Sequence, residues 1–198
     1  MLKEIGGEVV QVRGTGLGMI LRVVILQANG WAEDFKFLVH KYAPNEIPND
    51  NADIDCPNWT GRWLIAQTFT AMALEAFYYD YVIEKESKTK AENKCSPVVR
   101  YQYLAETYLG QTNVTDSDLY FQLKALNTLR RHWIHNKSTD LEKYRCPDKY
   151  FNPGQCLALL TSVFRLFESN DHSCVVARVS REILEQAQNN LKDIIETT

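Results

Sequence analysis

Arginine and histidine side chains crowd into one stretch of this chain, LRRHWIHN at residues 129–136, with Lys137 directly behind it. Arg130, Arg131, His132 and His135 lie there together, and they include two of the four histidines. Histidine titrates near neutrality and can accept and return a proton within one reaction cycle. A guanidinium can grip a phosphate through two parallel hydrogen bonds and stabilise charge developing on it. Together these residue types suit binding or cleavage of a phosphodiester. On a regular helix Arg131 and His135, four apart, share a face, and His132 lies three before His135. Arg130 and His135 are five apart, about 140° around an ideal helix, so they converge only where the helix ends or bends between them. The plainer account is a solvated helix end, where cations favour the macrodipole by a few tenths to ~1 kcal/mol. Trp133 and Ile134 weigh slightly against it, because they would press the polar groups onto a packed surface.

A helix must carry this stretch, and the text around it reads as helical from Thr60 onward. Ile65, Phe69, Met72, Ala76, Tyr79 and Ile83 recur at steps of four and three, an apolar stripe along one helix. Ser96-Pro97 places a cap before a proline at the first helical position, and Gly110 closes that helix. Asp116 or Ser117 caps the next, striped by Leu119, Leu123, Leu126 and Trp133. Asn152-Pro153 opens a fourth with Leu157, Leu160, Phe164 and Phe167. A fifth, from about Val175, carries Val176, Val179, Ile183, Ala187 and Ile194. Short connections and polar opposite faces predict an all-α, up-and-down helical bundle of four to five helices over residues 58–198.

Residues 1–57 read as an N-terminal extension and linker. GEVVQVRG at 7–14 and MILRVVILQ at 19–27 are β-branched runs flanking the glycine-rich 14–18, which predicts a small β-hairpin. No lysine-serine/threonine pair follows those glycines, so a flexible turn is the better reading than a phosphate loop. A short helix at 32–42, stopped by Pro44, and a loop over 44–57 complete the segment.

The totals narrow the classes. A chain of 198 residues, 45% hydrophobic and 24% charged, has the balance of a globular domain that builds its own core. A net charge of −3 argues against a broad, unspecific nucleic-acid coat while leaving room for a local basic site. No run approaches the ~18 apolar residues that a membrane helix needs. The opening MLKEIGGEVVQVRG is broken by Lys3, Glu4, Glu8 and Arg13 and has no secretory apolar core, so a cytoplasmic protein with no membrane partner is expected. Five cysteines without a C-x-x-C pair suit reduced thiols. Cys146 and Cys156 with His132 and His135 lack the spacing of a zinc finger, so neither a metal nor another cofactor is expected.

The words ALEAF at 73–77 and LNTLRRHWIHN at 126–136 resemble the HEPN superfamily of small helical bundles. Its hallmark is an arginine, four to six residues, then a histidine; here Arg130 and His135 are separated by four, and an apolar helix follows after a loop. The resemblance covers about residues 60–167 and leaves the first fifty outside. It departs at one place: the residue after the arginine is usually Asn, Asp or His, and here it is Arg131. If Arg131 were the motif arginine, His132 would be its polar neighbour and only three residues would separate it from His135.

Many members of that superfamily are metal-independent endoribonucleases, often toxins or phage-defence effectors. The resemblance therefore implies His135 as general acid/base and Arg130 as phosphate and transition-state clamp. Arg131, His132, Asn136 and Lys137 would position the strand, and Glu75 could orient the motif from the ALEAF helix or simply mark a helix edge. It also implies an RNA or nucleotide ligand, a homodimer whose motifs form a composite site, and an antitoxin or other protein partner. The alternative on the same fold is a non-catalytic interaction or nucleotide-binding module. Phe77, Tyr78, Tyr79 and Tyr81 could stack bases, although consecutive aromatics on a bundle helix fit a core and an interface better.

Overall fold

Leu17, Leu21, Val24, Ala28, Trp31, Ala32 and Leu38 recur at helical spacing and are all buried, and Leu17–Tyr42 is one continuous helix, α1. The structure, a computed structural model, describes residues 2–11, 16–47, 49–93, 95–134 and 151–196, with the backbone alone at 2, 3, 5, 10, 11, 49, 50 and 132–134. The β-branched run at 19–27, expected as a strand, lies within α1, because its period fits a packed helical face and tertiary burial overrides local propensity. The hairpin forms one step earlier. β1 (Leu2–Ile5) pairs antiparallel with β2 (Glu8–Gln11), Leu2 opposite Gln11 and Ile5 opposite Glu8. Gly6 and Gly7 make the turn at φ +62° and +85°, which glycine adopts without a Cβ penalty.

The expected loop at 44–57 contains a short helix, α2 (Asn49–Asp55). Asp53 in it accepts hydrogen bonds from Thr60 N (2.9 Å) and Thr60 Oγ1 (2.5 Å), anchoring the start of α3 (Trp59–Lys85). α1 shares one hydrophobic core with the later helices, so the boundary expected near residue 57 falls inside a single packed unit. Gly30 permits the closest approach here: a Cβ at that position would overlap the Arg62 guanidinium, which lies against α1 with its Nε 2.6 Å from Asp34 Oδ2.

Beyond α3 come α4 (Lys88–Ala91), α5 (Pro97–Tyr108), a 3-10 turn (Val114–Asp116), α6 (Asp118–Ile134), α7 (Pro153–Asn170) and α8 (Val175–Glu196). Local chemistry sets their ends. Ser96 Oγ accepts from Val99 N at 3.3 Å, and Gly110 adopts φ +62° shortly after the end of α5. Ser117, not Asp116, caps α6, accepting from Tyr120 N at 3.2 Å. Asn152 and Gln155 form a reciprocal capping box, both bonds 2.8 Å, with Pro153 at the first helical position of α7.

Long-range contacts give the helix directions. The end of α1 meets the region before α3, Tyr42 donating to Asp55 Oδ2 at 2.7 Å, while Ile20 near its start shares a groove with Met72 and Tyr79. α1 and α3 are therefore antiparallel. Gln67 Nε2 donates to Phe151 O (2.9 Å), just before α7, and Tyr81 donates to Asp171 Oδ2 (2.7 Å), just after it. α3 and α7 therefore run the same way, with α5 and α6 between them in the chain. At their centre Phe77 meets Phe164 and Phe167 edge-on, each with ring centroids 4.8 Å away. The architecture is an all-α bundle with a two-stranded N-terminal appendage, and among the described residues no helix is long and apolar enough to cross a membrane.

Two faces differ from the sequence reading. In α3 the stripe from Ile65 to Ile83 is only partly covered, with Met72 exposed, while Trp63, Ala66, Thr70, Leu74, Phe77, Tyr78 and Tyr81 are buried. In α8 the buried face is Ala177, Ser180, Leu184, Ala187 and Leu191, rotated by one position from Val176, Val179 and Ile183.

An ionic latch ties α3 to the turn between α7 and α8. Burial pushes the Asp171 carboxyl up, but hydrogen bonds from Lys85, Ser173 and Tyr81 outweigh it and hold the group at about 2. That value lies below the 3.8 of an unperturbed aspartate, so the stabilisation is present above pH ~4 and lost as pH falls toward 2. The difference corresponds to about 2 kcal/mol. Urea unfolding of the wild type and Asp171→Asn should show a gap of that order near neutrality, closing between about pH 4 and pH 2.

Candidate functional site

Leu123, Leu126 and Leu129 are the buried face of α6, and Leu123 and Leu126 border the same crevice as Ala71 and Leu74 of α3. Four residues past Leu126, the same flank of α6 carries Arg130, and one residue past Leu74, α3 carries Glu75. The two side chains meet: Arg130 Nη1 donates to Glu75 Oε1 in an ion pair. Arg130 is 23% exposed and Glu75 38%, so solvent screens the pair and its contribution to stability is at most about 1 kcal/mol. Among the described residues, Arg130 Nε is buried without a hydrogen-bond partner. Arg131 is exposed and takes no part in this contact. The backbone of His132 lies in the last turn of α6; His135, Asn136 and Lys137 lie outside the described residues.

Glu75 also borders a groove of about 510 Å³ lined by Ile20, Met72, Tyr79, Asn93 and Arg100. Arg100 Nη2 donates to Ala91 O (2.8 Å) and Asn93 O (2.7 Å), holding the chain between α4 and α5 against this groove. Nothing in the sequence pattern marks Arg100 for such a place. Glu75 and Glu92 balance Arg100 there, so the groove is mixed in charge rather than a basic channel. Of the four aromatics considered for base stacking, Phe77, Tyr78 and Tyr81 are core residues; Tyr78 and Tyr79 both border the groove, and of the four only Tyr79 is partly exposed.

The cysteines divide similarly. Cys56, Cys156 and Cys174 are buried, and burial pushes the Cys156 thiol up to about 12. Cys95 is exposed beside the groove, and Cys146 lies outside the described residues. Among the described residues no group of three or more His, Cys, Asp or Glu side chains could hold a metal ion. Comparison with protein-family models, curated proteins and solved structures returns no match.

Proposed function

We propose that this chain is an RNA-binding helical bundle of metal-independent endoribonuclease type, with Arg130 as phosphate clamp and His135 as general acid/base. The reading rests on the resemblance of 126–136 to the HEPN motif, and one observation carries it further: Glu75 pairs with Arg130 and not with Arg131. A carboxylate on a packed helix fixes the direction of a guanidinium, and preorganised donors are what stabilise charge developing on a phosphate. That assignment makes Arg130 the motif arginine and Glu75 its positioning residue. Arg131, His132, Asn136 and Lys137 then guide the strand, and a homodimer would set two such motifs against each other.

Glu75→Gln tests this directly. It removes the charge that orients Arg130 while keeping side-chain size, so the fold should persist. RNA cleavage should fall by roughly tenfold to a hundredfold, the cost of a misplaced catalytic group. An unchanged rate would remove Glu75 from the site.

A second reading, a non-catalytic nucleotide-binding or protein-binding module, is favoured by the same ion pair seen from the other side. Arg130 is already neutralised, so an incoming phosphate must share the guanidinium with Glu75 or displace it. On that reading Glu75→Gln strengthens RNA binding instead, and no cleavage accompanies it.

A further inference from the structure

Three of the four tryptophans gather at the opposite end of α3 from Glu75. Trp31 and Phe35 of α1 and Trp59 and Trp63 of α3 form a row, with ring centroids 5.5 Å (Phe35–Trp31), 6.3 Å (Trp31–Trp59) and 6.0 Å (Trp59–Trp63) apart. All four line a groove of about 600 Å³ closed on one side by Pro44, Glu46 and Ile47. Trp63 and Glu75 are twelve residues apart, about 18 Å along the helix, so this groove is separate from the Arg130 site.

Its electrostatics are one-sided. Glu46 is the single charged residue lining it, exposed and without an ion pair among the described residues. Two nearby cations are committed elsewhere, Arg62 to Asp34 and Lys41 to Asp55. Aromatic ring faces add further negative potential, tryptophan most of all. An anion would find no cation among the described lining residues, and a neutral apolar ligand would leave Glu46 unused.

We propose that this groove binds an organic cation, a small alkylated ammonium compound. The ammonium group lies against the aromatic row, and Glu46 supplies the counter-charge at the rim. The site is independent of the Arg130 site, and its test does not require ribonuclease activity.

Choline and 3,3-dimethylbutan-1-ol, its neutral carbon isostere, separate cation recognition from simple apolar burial. Titrated into the full chain at constant ionic strength and followed by tryptophan fluorescence, choline should bind roughly 5–30-fold more tightly than the alcohol. Glu46→Gln, at an exposed position, should melt at the wild-type temperature, lose several-fold in choline affinity and keep its affinity for the alcohol. Equal binding of the two compounds would overturn the proposal, as would a Glu46→Gln variant with unchanged choline affinity. So would the absence of any choline signal at about 10 mM, tenfold above a weak millimolar Kd.

Discussion

Replacing His135 with alanine should lower RNA cleavage by roughly 10²–10⁴-fold, the usual loss when a general acid/base is removed. Histidine is the residue of this stretch that can exchange a proton near neutrality, with the RNA 2′-hydroxyl and then with the leaving oxygen. Arg130→Lys should also be severely impaired, because an ammonium point charge does not reproduce a planar two-pronged donor. It would weaken the contact with Glu75 for the same reason. Arg131→Ala should cost far less, since Arg131 is exposed and stands outside that ion pair. The order His135 and Arg130 severe, Arg131 mild is the signature of Arg130 as the motif arginine; the reverse order of the two arginines would reassign it. Circular dichroism of each variant separates loss of chemistry from loss of fold.

The largest stability effect should come from Phe164→Ala. Phe164 is fully buried and packs edge-on against Phe77, where α3 and α7 meet. Truncating such a ring removes buried area and leaves a cavity that surrounding helices fill only in part, costing about 3–5 kcal/mol. A domain of ordinary stability has about 5–15 kcal/mol in total, so the urea midpoint should fall steeply. α8 supplies an internal control. Leu184 is fully buried while its neighbour Ile183 is 48% exposed, so Leu184→Ala should be strongly destabilising and Ile183→Ala close to neutral.

That contrast also shows where the sequence was legible. Ser96-Pro97 and Asn152-Pro153 mark true helix starts because capping depends on hydrogen bonds within a few residues. The stripe of α7 is equally plain: Leu157, Leu160, Phe164 and Phe167 are all fully buried. In α3 the periodic signal is weak because apolar residues surround much of the helix, so one stripe could be chosen while another carries the core. In α8 the alternatives differ by one position, and the neighbours that decide between them, α1 and α7, are distant in sequence. The run at 19–27 reads as strand from residue type alone; only its packing against α3 and α8 makes it helix.

The candidate site divides along the same line. The basic stretch is visible as composition, and Glu75 could be picked out only through the resemblance of ALEAF. Arg100 and the groove beside Glu75 depend on how α4 and α5 return against α3, which no spacing encodes. The aromatic groove is invisible for the same reason, since Trp31 and Trp59 are brought together by the antiparallel packing of α1 and α3.

The proposed chemistry has Arg130 and His135 cleaving RNA without a metal. The direct measurement is digestion of a mixed RNA pool in the presence of chelator, comparing wild type with the Arg130→Lys/His135→Ala double variant. The wild type should cleave RNA but not DNA, leaving products that end in a 2′,3′-cyclic phosphate or its hydrolysis product, and the double variant should give none. Cleavage that chelator abolishes, or that the double variant retains, would contradict it.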